Sequence, residues 1–180
     1  MVDPVARLGD VDQLIEQYQY FVVHAPRQTG KTTSMAAWVR KLNTEGKFAA
    51  LHITCEQGQA LQEDIAATES ILLRELARAA KLQLPGLVHP QETVDAPEGD
   101  RLRSALTEWA QNSPRPIVLV MDEIDALRGQ SLISVLRQLR AGFPGRPNAF
   151  PASVVLCGLR DVRDYKAAPG GDPERLGTAS

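Results

Sequence analysis

Tyr20-Phe21-Val22-Val23-His24-Ala25-Pro26-Arg27-Gln28-Thr29-Gly30-Lys31-Thr32-Thr33 is the stretch that decides the fold. Residues 20–24 form a compact run of aromatic and β-branched side chains, the composition of a buried strand. From Lys31 onward, Met35, Trp38, Val39 and Leu42 recur at helical spacing, and Gly46 closes that helix. The intervening Ala25-Pro26-Arg27-Gln28-Thr29-Gly30-Lys31-Thr32 fits the phosphate-loop pattern, with alanine in place of its first glycine. In such a strand–loop–helix turn, backbone N–H groups converge on a concavity at a helix N-terminus, where the helix dipole also favours an anion. Gly30 allows close backbone approach, Lys31 supplies a mobile positive charge, and Thr32 offers a hydroxyl to Mg2+. The candidate nucleotide-contacting residues are therefore Ala25, Pro26, Arg27, Gln28, Thr29, Gly30, Lys31, Thr32 and Thr33, with Arg27 either touching phosphate or facing solvent.

A second stretch complements the first. Ile117 to Met121 is apolar at every position, as a strand covered on both faces must be, and it runs into Asp122-Glu123-Ile124-Asp125. A carboxylate at that strand end, on the same sheet edge as the phosphate loop, can hold a magnesium hydration shell, and Asp122 is assigned to it. Glu123 can reach a water aligned with the terminal phosphate and act as general base, a role worth roughly 10²–10⁴ in rate. A free Glu titrates near ~4.3, so it is ionised at neutral pH without special tuning. The competing reading is that these acids only cap the next helix or solvate the strand end, and Asp125 is assigned to that.

Outward from these stretches the elements alternate. Val11, Leu14, Ile15 and Tyr18 predict a short helix over 11–18, in which Val11 or Ile15 could wall a base. Residues 48–54 read as a second strand and residues 59–82 as a long helix. On that helix Leu61, Ile65, Leu72, Leu76 and Ala79 share a face, while Glu63, Asp64, Glu69, Arg74 and Arg78 lie largely off it. Proline and glycine mark 83–100 as a loop, and Asp100 is the expected N-cap of a helix using Leu102, Ala105, Leu106 and Trp109. A helix near 130–140 and a fourth strand at 153–157 follow, and 167–180 reads as a disordered tail. His24 and His52 read as core or edge residues of strands, and Trp38 and Trp109 as packing. The alternation implies a three-layer α/β/α fold with a mainly parallel sheet, and such sheets bind ligands at the carboxyl ends of their strands.

Composition narrows the function classes. At 180 residues the chain suits one domain, given roughly 150 residues per domain. A net charge of −2, evenly divided between the halves, builds no positive field for nucleic-acid backbone, so charge does not support that partner. The longest strongly apolar run, residues 117–121, is too short to span a bilayer. Cys55 and Cys157 match no zinc spacing and read as small buried hydrophobes in a reducing, cytoplasmic compartment.

The phrases Phe21 to Thr32, Leu119 to Asp125 and Val154 to Tyr165 resemble the nucleotide-binding core of an AAA+-type P-loop ATPase, of the AAA-like and STAND-related kind found in many bacterial predicted ATPases. The resemblance spans roughly residues 10–166 and implies ATP and Mg2+ as cofactors, hydrolysis, and a sheet whose phosphate-loop and acidic strands are separated by the fourth. It implies a core over 1–166, with the acidic segment at 117–125 and a sensor segment at 153–161. Where the family carries a small polar sensor, this chain has Cys157-Gly158. Arg160 resembles the arginine that STAND-type relatives use to read the terminal phosphate. Relatives continue into a helical lid, and the sequence reads as stopping before it, which leaves a nucleotide-binding module without turnover as the alternative. A P-loop kinase is a weaker alternative, because that class usually lacks the adjacent Asp122-Glu123 pair. The partners are nucleotide, with a homo-oligomer or a fused or separate effector domain left open, and no membrane.

Overall fold

The alternating stretches produce four parallel strands: β1 (Tyr20–His24), β2 (Ala49–Thr54), β3 (Ile117–Asp122) and β4 (Ser153–Gly158). They are hydrogen-bonded in the order β1-β4-β3-β2, so β4 separates the strand leading to the phosphate loop from the acidic strand. The computed structural model describes residues 9–24 and 31–158. Five helices cover the described sheet: α1 (Gly9–Glu16), α2 (Lys31–Glu45), α3 (Ile65–Gln83), α4 (Arg101–Asn112) and α5 (Gly129–Gly142).

The two-residue period of the strands sorts side chains between two cores. Leu51, Ile53, Leu119 and Met121 enter one core with α3, α4 and α5. Ala50, Val118, Val120, Val155 and Cys157 enter the other with Ile15 of α1 and Met35, Trp38 and Val39 of α2. β3 is buried at all six positions, which explains its unbroken apolar text. The same parity puts His52 and Asp122 on the face that α2 covers. α1 is tied to α2 by Asp12, which accepts hydrogen bonds from Trp38 Nε1 at 2.7 Å and Lys41 Nζ at 2.8 Å.

Several sequence expectations need correction. The first helix occupies Gly9–Glu16, and Tyr18 already has a left-handed φ of 55° as the Gln19 N–H closes back onto the Leu14 carbonyl. Ile15 is 1% exposed and Val11 9%, so this helix spends its apolar face on the core and Ile15 has no surface left for a base. The helix expected over 59–82 begins only at Ile65, because the Asp64 carboxylate caps it by accepting from the Ala67 N–H at 2.9 Å. Leu61 and Glu63 thus precede the helix. Their segment docks on α5 through the Leu61 carbonyl, which accepts from the Ser131 hydroxyl at 3.0 Å.

Asp100 occupies the N-cap position of α4 without a side-chain cap bond. Glu69 of α3 does that work from a distance. It was expected off the apolar face, yet it is 1% exposed and accepts from Gly99 N–H at 2.9 Å, Arg101 N–H at 3.0 Å and Leu102 N–H at 3.3 Å. Gln138 of α5 donates to the same carboxylate at 2.9 Å and accepts from the Arg103 N–H at 3.0 Å. The acidic segment leaves the sheet at Asp122, and Ile124–Ala126 form a 3-10 turn. The tail at 167–180, and the sensor segment from residue 159 onward, lie outside the described residues.

α5 ends tightly against the residues that lead into β4. A Cβ added at Gly142 would lie 2.2–2.4 Å from three atoms of the Phe150 ring, and Phe150 is fully buried. Gly142→Ala is expected to destabilise the fold by about 1–3 kcal/mol through overpacking, read as a lower midpoint in urea with an unchanged slope.

Candidate functional site

Thr32 lies in the first turn of α2 and Asp122 is the last residue of β3. β3 carries its side chain to the sheet's carboxyl edge, where α2 begins. The Thr32 hydroxyl donates to Asp122 Oδ2 at 2.8 Å across ninety positions of sequence. The Glu123 N–H donates to the other oxygen, Oδ1, at 2.9 Å. A third donor comes from β2, whose His52 Nε2 lies 3.3 Å from Oδ2.

The Asp122 side chain is 2% exposed and His52's is 15%. Burial pushes the Asp122 carboxyl up, but hydrogen bonds from His52, Thr32 and the Glu123 N–H oppose it and hold the group below its ordinary value of 3.8. A carboxyl lowered in the fold contributes stability above its unfolded value and loses it only as pH falls through the folded one. Asp122 is therefore anionic throughout the neutral range.

Two oxygens 2.8 Å apart suit a hard divalent cation. Neighbouring ligands of an octahedral Mg2+ with bonds of about 2.1 Å stand about 3.0 Å apart, and such ions complete their shells with water and phosphate oxygen. Among the described residues no cluster of three or more His, Cys, Asp or Glu side chains could form a protein-only metal cage. The donor set fits a cation shared with a phosphate ligand.

Glu123 is exposed and takes a left-handed backbone, φ 54° and ψ 41°. A non-glycine residue held there costs about 1–3 kcal/mol and persists only where its surroundings fix it. Here the fixing contacts are its own N–H on Asp122 and its carbonyl, which accepts from the Ala126 N–H at 2.9 Å.

The sequence-derived candidates divide sharply. Thr32 and Asp122 are in contact and Glu123 adjoins them, while Thr33 is exposed one residue along α2. Ala25, Pro26, Arg27, Gln28, Thr29, Gly30 and Arg160 lie outside the described residues; Lys31 opens α2, but its side chain lies outside them too. Asp125 sits in the 3-10 turn after Glu123. His52 is the residue that sequence reading missed, having been expected merely as a strand residue. Trp38 and Trp109 are buried, as expected of packing residues.

No curated protein sequence matches this chain. Among solved structures, one similar chain belongs to Drosophila ORC bound to poly(dA/dT) DNA and Cdc6, with a TM-score of 0.61 and 11% identity. The match covers 96% of this chain but 27% of that one. A second is the Aeropyrum pernix ORC2 protein in ADPNP–ADP complexes, with a TM-score of 0.50, 17% identity, and coverage of 94% and 45%. This chain thus spans less than half the length of either, and at these identities the likeness concerns the fold. No described helix is long and apolar enough to cross a membrane. A sequence-family model for the AAA domain matches residues 15–165, so the chain belongs to that family and carries an AAA+ P-loop ATPase core.

Proposed function

We propose that this domain binds ATP with Mg2+ and hydrolyses it, using the cycle to switch conformation. The observation that carries the reading is the 2.8 Å hydrogen bond from Thr32 to Asp122, which joins the helix after the phosphate loop to the acidic strand. Lys31 and the backbone N–H groups of Ala25 and residues 27–30 hold the phosphates at the N-terminus of α2, where the dipole favours them; Pro26 has no N–H to give. Thr32 and Asp122 are the residues that would hold Mg2+, which when bound neutralises charge on the phosphate oxygens. Glu123 accepts a proton from the attacking water as general base. Its left-handed backbone turns it away from the buried strand that precedes it, on a geometry stiffened by Asp122. Arg160, by its resemblance, reads the terminal phosphate.

The ligand assigned is nucleotide rather than nucleic acid. Among the fold relatives, the Aeropyrum pernix protein is in ADPNP–ADP complexes and the Drosophila assembly is bound to DNA and Cdc6. A net charge of −2 does not favour a DNA backbone as this chain's ligand. The conformational output is taken up by an effector, either a fused domain or a second chain.

Binding of a fluorescent ATP analogue and release of phosphate test the proposal in wild type and Lys31→Ala. Wild type is expected to do both, and Lys31→Ala to bind about 10–100-fold more weakly, as loss of a charged hydrogen bond predicts. Equal binding by the two proteins would overturn the placement of phosphate at α2. Wild-type binding without turnover would reduce the domain to a nucleotide-binding module.

A further inference from the structure

We propose that His52 is a positioning residue for Asp122, its Nε2–H holding the carboxylate in the orientation that faces Thr32 and the Mg2+–nucleotide. The inference rests on the reading of Thr32 and Asp122 given above. A carboxylate at a strand end keeps one soft rotation after its backbone is fixed, and that rotation decides whether an oxygen points at a cation or past it. Oδ1 is held by the Glu123 N–H at 2.9 Å. Oδ2 is held by Thr32 at 2.8 Å and approached by His52 Nε2 at 3.3 Å.

The two donors on Oδ2 are not equivalent. Thr32 belongs to the helix that the phosphate loop feeds, and its oxygen has the phosphate ligand to serve. His52 sits in the sheet with Asp122: β2 and β3 pair His52 with Val120 and Thr54 with Asp122, so the ring rises from the same face one step back. Its grip therefore does not depend on what the loop holds.

The backbone that carries the imidazole is anchored as well. The Gln83 side chain, at the end of α3, accepts from the His52 N–H at 2.9 Å and donates to the His52 carbonyl at 2.8 Å. An anionic carboxylate offers only acceptors, so the ring nitrogen facing it must carry the proton. The contact thus assigns the Nε2–H tautomer from its hydrogen-bond partner.

The test is a Mg2+ titration of fluorescent ATP-analogue binding in wild type, His52→Leu and His52→Gln, beside binding in EDTA. Hydrogen bonds of this kind behind a metal-binding carboxylate typically carry 10–100-fold in metal affinity, so His52→Leu should need about 10–100-fold more Mg2+ at half-saturation. Its binding in EDTA should match wild type, and His52→Gln, which restores an N–H near the Nε2 position, should recover most of the loss. Imidazole nitrogen NMR shifts of wild type supply a readout that needs no variant to fold, and they should report the proton on Nε2.

A folded His52→Leu with the wild-type Mg2+ requirement, equal weakening with and without Mg2+, or a neutral ring protonated only at Nδ1 would each overturn the assignment, while Mg2+–nucleotide binding by wild type keeps the proposed function standing. Failure of wild type to bind Mg2+–nucleotide at all would overturn both readings.

Discussion

Glu123→Gln is expected to lower phosphate release by about 10²–10⁴-fold while nucleotide still binds, the range that loss of a general base produces. The substitution keeps the size and length of the side chain, so the N–H donated to Asp122 Oδ1 and the left-handed backbone are preserved. What disappears is the capacity to accept a proton from water. Single-turnover phosphate release and analogue binding, measured together, separate the two effects. A Gln variant that hydrolyses at the wild-type rate would remove Glu123 from the reaction. One that loses binding as well would show that the residue supports the site's shape rather than its chemistry.

Glu69→Ala should have the largest effect on stability, about 3–4 kcal/mol, with each stranded buried donor worth about 1–3 kcal/mol before water or relaxation recovers part of the loss. Four donors converge on this carboxylate: the N–H groups of Gly99, Arg101 and Leu102, and the Gln138 side chain. Three belong to the start of α4, whose own N-cap residue makes no side-chain cap, so truncation opens the join between α3, α4 and α5 at once. Glu69→Gln retains one acceptor oxygen and should lose roughly half as much, about 1–2 kcal/mol. Urea unfolding of the three proteins checks the order. Equal stability of Ala and wild type would mean that water replaces the carboxylate at no cost.

The strands were legible because their cause is local. An unbroken apolar run such as Ile117 to Met121 fits only a strand buried on both faces, and the structure buries every one of those residues. The parallel order with β4 in the middle followed from the resemblance and is what the sheet has. Helix starts were less legible, because Leu61 continues the apolar spacing of α3 although Asp64 caps the helix after it. Glu69 was misplaced because the periodic pattern identifies one apolar face, whereas α3 is packed by a sheet and two helices and buries more than a stripe.

The site followed the same division. Asp122 and Thr32 could be named from the strand end and the phosphate loop, since each is a local pattern. His52 could not, because its partner is set by the pairing of β2 with β3, which no local window contains. A usable signal did exist: a histidine alternating with Leu51 and Ile53 on a strand must leave the face those residues occupy.

The bracket that Gln83 places on His52 has a consequence for the molecule in crowded solution. β2 is one of the two outer strands of the described sheet, and an uncovered outer strand is a template onto which a foreign chain can dock and seed insoluble aggregates. By satisfying both peptide groups of His52 from the side, the glutamine occupies the rung where such an intruder would begin.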